Sequence, residues 1–241
     1  MIDFHYWPTP NGWKVSIMLE ECGLEYATRY VNIGRGDQFA PAFLAVSPNA
    51  RMPAIVDHDP PAAYGDAPVP VFESGAILLY LAEKTGRFLP DGALARKEAL
   101  EWLFWQVGNL GPMAGQLSHF VNYAPADRDH AYAHERYGRE YHRCLGVLER
   151  RLEDREFLLG EYSIADMAAW PWVLIAKPLG RPLDAEGDAF PNVARWRGAV
   201  KERPAVRAGV DLGKDRRRSA PPDEEERRVL FGQGGRSGPS S

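Results

Sequence analysis

The chain opens on an alternation. Ile2, Phe4 and Tyr6 are apolar while Asp3 and His5 between them are polar, the period of a half-buried strand. Thr9-Pro10 then reads as a helix start, because threonine is a favourable N-cap and proline suits the first helical position, where a missing N–H costs nothing. Val15, Met18, Leu19 and Cys22 follow at helical spacing, and Gly23 supplies a stop. Residues 25–33 have strand character, and residues 39–45 suit a short helix. Ala54–Asp57 and Val69–Phe72 read as a β-hairpin pair. The connection 58–68 is long for a hairpin and rich in Pro, Ala and Asp, as expected of an exposed insertion. Ser74 is the expected N-cap of a further helix through Ala76-Ile77-Leu78-Leu79-Tyr80-Leu81. Residues 1–88 therefore predict an α/β domain.

Pro90-Asp91-Gly92 marks a junction, after which strand signals disappear. Leu100, Leu103, Phe104 and Val107 fall at helical spacing, and so do Tyr137, Tyr141, Cys144, Leu145, Leu148 and Leu152. Ser163-Ile164-Ala165-Asp166 resembles a capping box, with Tyr162 and Met167 placed for a hydrophobic staple. It is a folding element. Gly108, Gly111 and Gly115 around Pro112 suggest a break or close packing. Trp102, Trp105, Trp170 and Trp172 are expected to fill helical cores. Residues 89–210 thus predict an all-α domain. From 211 to 241, charge runs such as Arg216-Arg217-Arg218 and Glu224-Glu225-Glu226 lack apolar periodicity, which predicts a disordered, solvated tail.

Composition adds exclusions. A net charge of −4 over 241 residues gives no support for nucleic-acid binding. The sequence contains no apolar run of the roughly 18–20 residues that span a membrane, and its first residues lack a signal-peptide pattern. Two cysteines, Cys22 and Cys144, do not make a disulfide framework, so a cytoplasmic location is expected. The histidines show no metal-binding spacing, and no metal is expected.

The chemistry concentrates at Thr9-Pro10-Asn11-Gly12, Glu73-Ser74-Gly75 and the Pro-bearing loop Ser47-Pro48-Asn49-Ala50-Arg51-Met52-Pro53. Two helix N-termini and a turn of this kind can converge on one small anionic ligand. Together with Gly36-Asp37-Gln38-Phe39 and Gly111-Pro112-Met113-Ala114-Gly115-Gln116, these stretches resemble the glutathione transferases, and within them the bacterial Nu class, over about residues 1–210. The resemblance implies a thioredoxin-like α/β domain followed by the all-α transferase domain, assembled as a homodimer.

The resemblance also implies roles. Glutathione would be the cosubstrate. Its γ-glutamyl carboxylate suits Ser74 and the N–H groups at that helix start, and its ammonium suits Glu73. The cysteinyl amide suits the Met52 main chain, presented by a cis Pro53. Gln38 and Arg51 are placed for the glycyl carboxylate, and Arg136 for a ligand in a neighbouring subunit. Thr9 and Asn11 stand where the thiolate is stabilised, with Tyr6 a competitor better explained as strand packing. The expected activity is glutathione-dependent disulfide reduction without a protein redox cysteine, with two glutathione thiols or glutathione disulfide bound in one site and a small disulfide as the substrate. The rivals are conjugation of glutathione to an electrophile, and a non-enzymatic glutathione-binding regulator of the same fold.

Overall fold

A computed structural model of the chain describes residues 1–125, 127–185, 187, 189–218 and 220–232. Strand β1 (Ile2–Tyr6) leads into α1 (Pro10–Cys22), followed by β2 (Tyr26–Tyr30) and a short α2 (Pro41–Leu44). The hairpin β3 (Ala54–Asp57) and β4 (Val69–Phe72) precedes α3 (Ser74–Thr85). The sheet order is β2-β1-β3-β4. β1 runs parallel to β2, with Phe4 opposite Thr28, and antiparallel to β3, with Phe4 opposite Ile55. β3 and β4 pair antiparallel, as their patterns predict. The alternation in β1 has a direct cause: Ile2, Phe4 and Tyr6 are buried in the core shared with Val15, Met18 and Leu19 of α1.

Helices α4 (Ala93–Trp105) and α5 (Gly111–Asn122) are joined by a π-helical turn, Gln106–Leu110. The helix is widened here where the glycines and Pro112 suggested a break. Pro112 has no N–H for the carbonyl one turn earlier, and a π turn accommodates that loss without ending the helix. α6 (Ala131–Arg151), α7 (Ile164–Leu174), α8 (Pro191–Lys201) and α9 (Pro204–Asp211) complete this half. The capping box at α7 forms: Ser163 Oγ accepts from Ala165 N at 3.2 Å, and Asp166 Oδ2 accepts from Ser163 N at 3.0 Å. Among the described residues, no helix is long and apolar enough to cross a membrane.

Two expectations need correction. The N-cap of α3 is Glu73, and Ser74 is the first helical residue. Glu73 adopts φ 71° and ψ 118°, which reverses the chain one residue earlier than a serine cap would. The second correction concerns the tail. Residues after 211 are not uniformly solvated, because α10 (Glu224–Phe231) docks on the body. Phe231 packs edge-on against His119 at 4.5 Å between ring centroids, and Val229 lies over Gly36. Arg216 and Arg217 sit over the rings of Tyr30 and Trp13, at 4.0 and 5.1 Å. Aromatic surfaces on the body therefore absorb charges that look merely solvated in sequence. Residues 219 and 233–241 lie outside the described residues.

Tyr6 Oη donates to the carbonyl of Leu212 at 3.0 Å. Removing everything after Asp211 strands that buried hydroxyl, at a cost of about 1–3 kcal/mol. The truncated chain is expected to melt several degrees below the full one in calorimetry. An unchanged midpoint would restore the solvated reading of the tail.

Candidate functional site

The site begins with the cap of α1. Thr9 is extended (φ −128°, ψ 162°) and its Oγ1 accepts from Gly12 N at 3.3 Å. Pro10 has no N–H, and that of Asn11 has no intrahelical acceptor, so the helix start presents donors and a partial positive charge. The hydroxyl of Thr9 points to Met52 Sδ at 3.7 Å. A thioether is a weak acceptor, so that O–H is easily redirected to a better one. The contact also fixes the helix start beside the cis peptide Met52-Pro53. Behind this bend, Ser47 Oγ donates to the carbonyl of Arg51 at 2.7 Å.

Gly12 makes the arrangement sterically possible. A Cβ there would lie 2.4 Å from the carbonyl oxygen of Trp7 and 2.8 Å from the ring of Tyr6. Asn11 is oriented from the helical half, where Trp172 Nε1 donates to its Oδ1 at 3.1 Å. An indole N–H only donates, so the oxygen of the amide must face it and the NH₂ end remains as a donor for a ligand. Trp172 is therefore more than core filling, although no spacing in the sequence relates it to Asn11. Tyr6 is the packing residue its alternation implies. It is buried, its hydroxyl is engaged by Leu212, and burial pushes its phenol far up.

Ser74 is buried at the start of α3, and Lys14 Nζ donates to its Oγ at 3.3 Å. Lys14 also donates to Gln106 Oε1 at 2.6 Å. It is 2% exposed, and burial pushes its ammonium down to about 7 while the Glu73 carboxylate pulls the other way. Sequence reasoning missed Lys14 and Gln106. The available signal was a lysine four residues before Met18, on the inward stripe of α1. Glu73 itself is exposed and holds a positive φ that non-glycine residues rarely adopt, a form of strain that concentrates at binding sites.

The remaining candidates separate from this cluster. Gln38 is buried, with Nε2 donating to the carbonyl of Ile33 at 3.2 Å and Oε1 unpartnered among the described residues. Arg51 is exposed. Arg136 lies on α6 and pairs with Glu140 at 3.0 Å. Neither thiol suits nucleophilic work. Cys144 is fully buried and Cys22 half-buried, and burial pushes both thiols up, away from thiolate. Among the described residues, no three His, Cys, Asp or Glu side chains group as a metal site.

Comparison with known proteins bears on the family and the fold. The family description "Glutathione S-transferase, N-terminal domain" matches residues 9–84, and "Glutathione S-transferase, C-terminal domain" matches residues 131–199. The disulfide-bond oxidoreductase YfcG of Escherichia coli (strain K12) is 50% identical over 86% of this chain and 93% of its own. The chain belongs to the glutathione S-transferase family. The transferase fold is equally plain in solved structures. A glutathione transferase from Burkholderia graminis, with two glutathione molecules bound per subunit, superposes with a TM-score of 0.81 at 46% identity, over 88% of both chains. One from Pseudomonas putida, with one glutathione disulfide bound per subunit, gives a TM-score of 0.80 at 41% identity, over 88% of this chain and 91% of that one. The disulfide-bond oxidoreductase YghU of Escherichia coli (strain K12) is 44% identical, over 83% of this chain and 71% of its own. The α/β half with its small mixed sheet is thus the thioredoxin-like half of a transferase, and the helices after it form the transferase helical half.

The geometry around Gly12 generates a stability prediction. Gly12→Ala forces its methyl group against the main chain of Trp7, which is not free to yield, and is expected to cost about 1–3 kcal/mol. Urea denaturation checks this, and an unchanged midpoint would show that the helix start is looser than described.

Proposed function

We propose that the protein is a glutathione-dependent disulfide reductase in which the sulfur chemistry belongs to the substrates. One observation carries the reading: the start of α1 offers the Thr9 hydroxyl and the Asn11 amide, while Cys144, buried, and Cys22, half-buried, lie elsewhere with thiols biased against ionisation. The names of YfcG and YghU as disulfide-bond oxidoreductases, and the glutathione or glutathione disulfide held by the solved relatives, support it.

Glutathione is placed with its γ-glutamyl carboxylate at Ser74 and the start of α3, its ammonium at Glu73, and its cysteinyl amide along the Met52 main chain. The thiol then lies toward Thr9 and Asn11. Gln38 and Arg51 are assigned to the glycyl end. A free thiol has a pKa of about 8.5; lowering it by about two units requires roughly 2.7 kcal/mol of preference for the thiolate. A redirected Thr9 O–H, the Asn11 NH₂ and the partial charge of the helix start are the groups available for that.

The thiolate attacks one sulfur of the disulfide, forming a mixed disulfide and expelling the other sulfur as thiolate. A second glutathione thiolate attacks the glutathione sulfur of that mixed disulfide. Glutathione disulfide leaves with the second substrate thiolate. Two glutathione thiols are oxidised, one disulfide is reduced, and the two thiol protons end on the two leaving thiolates. The protein's contribution is orientation and charge.

Replacing Cys22 and Cys144 together with Ser or Ala should leave reduction of a small disulfide by glutathione within a few-fold of wild type. Thr9→Val, which keeps side-chain shape, should lower it by tenfold or more, about the worth of one charge-assisted hydrogen bond. A cysteine-free chain that folds and binds glutathione yet has lost turnover would overturn the mechanism. Faster turnover with an aromatic electrophile than with the disulfide would favour conjugation, and binding without either turnover a regulator.

The assembly proposed is a homodimer in which Arg136 leans toward the partner's ligand. Exposed Phe72 and Phe104 are apolar surface available for such a contact. Light scattering at micromolar concentration should give about twice the chain mass. A fully active monomer would refute both the dimer and the role of Arg136.

A further inference from the structure

Two lysines, Lys84 partly and Lys14 fully drawn in from solvent, show how differently this chain treats an ammonium. Lys84 contacts the buried carboxylate of Asp57 at 2.8 Å, a closed pair that needs nothing further. Lys14 is more deeply buried, yet its two hydrogen-bond partners, Ser74 Oγ and Gln106 Oε1, are neutral oxygens. Among the described residues, Glu73 is the charged group that acts on it, and it does so from beyond ion-pair contact. An ammonium desolvated without a contacting anion is costly, and an apolar side chain would fill the same space more cheaply. The cation lies directly behind the serine at the start of α3.

We propose that Lys14 is a positioning residue for the γ-glutamyl carboxylate of glutathione, acting through Ser74. This rests on the placement of that carboxylate at Ser74. The ammonium occupies a lone pair of Ser74 Oγ, so the hydroxyl hydrogen turns away from Nζ toward the ligand. A chain from ammonium to hydroxyl to carboxylate polarises each member in the same sense. The arriving carboxylate is then the counter-ion that the folded chain withholds. Gln106 holds the ammonium on line from the π turn, and because an ammonium only donates, the oxygen of that amide must face it. Its Nε2 is left buried without a partner among the described residues, a local cost that a mere spacer would not carry.

The alternative is that Lys14 only ties the two halves of the chain together. Calorimetric titration separates the two, using glutathione and 4-aminobutanoyl-cysteinyl-glycine, which keeps the amine and thiol and lacks that one carboxylate. Wild type should prefer glutathione. In Lys14→Met that preference should fall by about tenfold or more, the scale of a charge-assisted hydrogen bond. A purely structural lysine would weaken both ligands together and leave their ratio intact, which overturns the proposal. Gln106→Glu keeps Lys14 in place, nearly preserves volume, and gives the ammonium a contacting carboxylate. It should also lower the preference several-fold, and an unchanged ratio in this variant overturns the proposal even where Lys14→Met fails to fold. If wild type itself shows no preference for glutathione over the analogue, the fault lies in the placement of the carboxylate at Ser74.

Discussion

Everything at the site depends on how the N-terminal half of α1 is gripped from the helical half of the protein. Trp172 holds Asn11, Gln106 holds Lys14, and the carbonyl of Gly209 accepts from Ser16 Oγ at 2.7 Å. The absence of a side chain at Gly209 lets α9 approach the Ser16-Ile17 main chain, where a Cβ would lie 2.7 Å from Ile17 N. A helix end is a useful source of donors only if its direction is fixed, because its field falls off within a turn. In this chain the direction is set by residues remote in sequence. The packing of the two halves against each other is therefore a structural requirement of the donor geometry.

The grip also distributes charge. The start of α1 carries a partial positive charge beside the Met52-Pro53 bend, and Lys14 adds behind Ser74 an ammonium that desolvation weakens. Glu73 is the negative group facing them, held outward by a positive φ. A zwitterionic amino-acid end, with carboxylate and ammonium on one carbon, fits such a pair of opposite charges better than a simple anion does. In the proposed placement that match selects the ligand's glutamyl end and leaves its sulfur to be placed by the length of the peptide between.

The elements legible in the sequence were those whose cause is local. The Thr9 cap, the Ser163 capping box and the β3–β4 hairpin each depend on residues a few positions apart or on a period that can be counted. The placing of Ser74 as cap fails by one position because the backbone of Glu73, not its side-chain type, makes the reversal. The Lys14–Ser74 and Lys14–Gln106 bonds span 60 and 92 positions, and nothing in their spacing announces them. The tail was misread for a related reason. Its charges and sparse apolar residues do not support structure alone, and rings such as those of Trp13, Tyr30, His119 and Tyr123 supply the missing surface.

The lack of a usable protein thiol is consistent with this electrostatic design. A redox cysteine at the start of α1 would itself claim the donors there as its counter-charge, since a thiolate is stabilised by that same helix end. Thr9 claims only the Gly12 N–H, and as a neutral acceptor; its own hydroxyl rests on a weak sulfur acceptor, and among the described residues the Asn11 amide is engaged through its oxygen alone. In the proposed mechanism the donors serve whichever thiolate the ligand brings, and the protein passes through no oxidised state of its own that would have to be reduced before the next cycle. Burial of Cys22 and Cys144, which raises the cost of ionising either, keeps the remaining sulfur out of that exchange. The same fold with a cysteine at position 9 would trade this neutrality for a covalent intermediate, and the grip on α1 would then orient a nucleophile instead of a ligand.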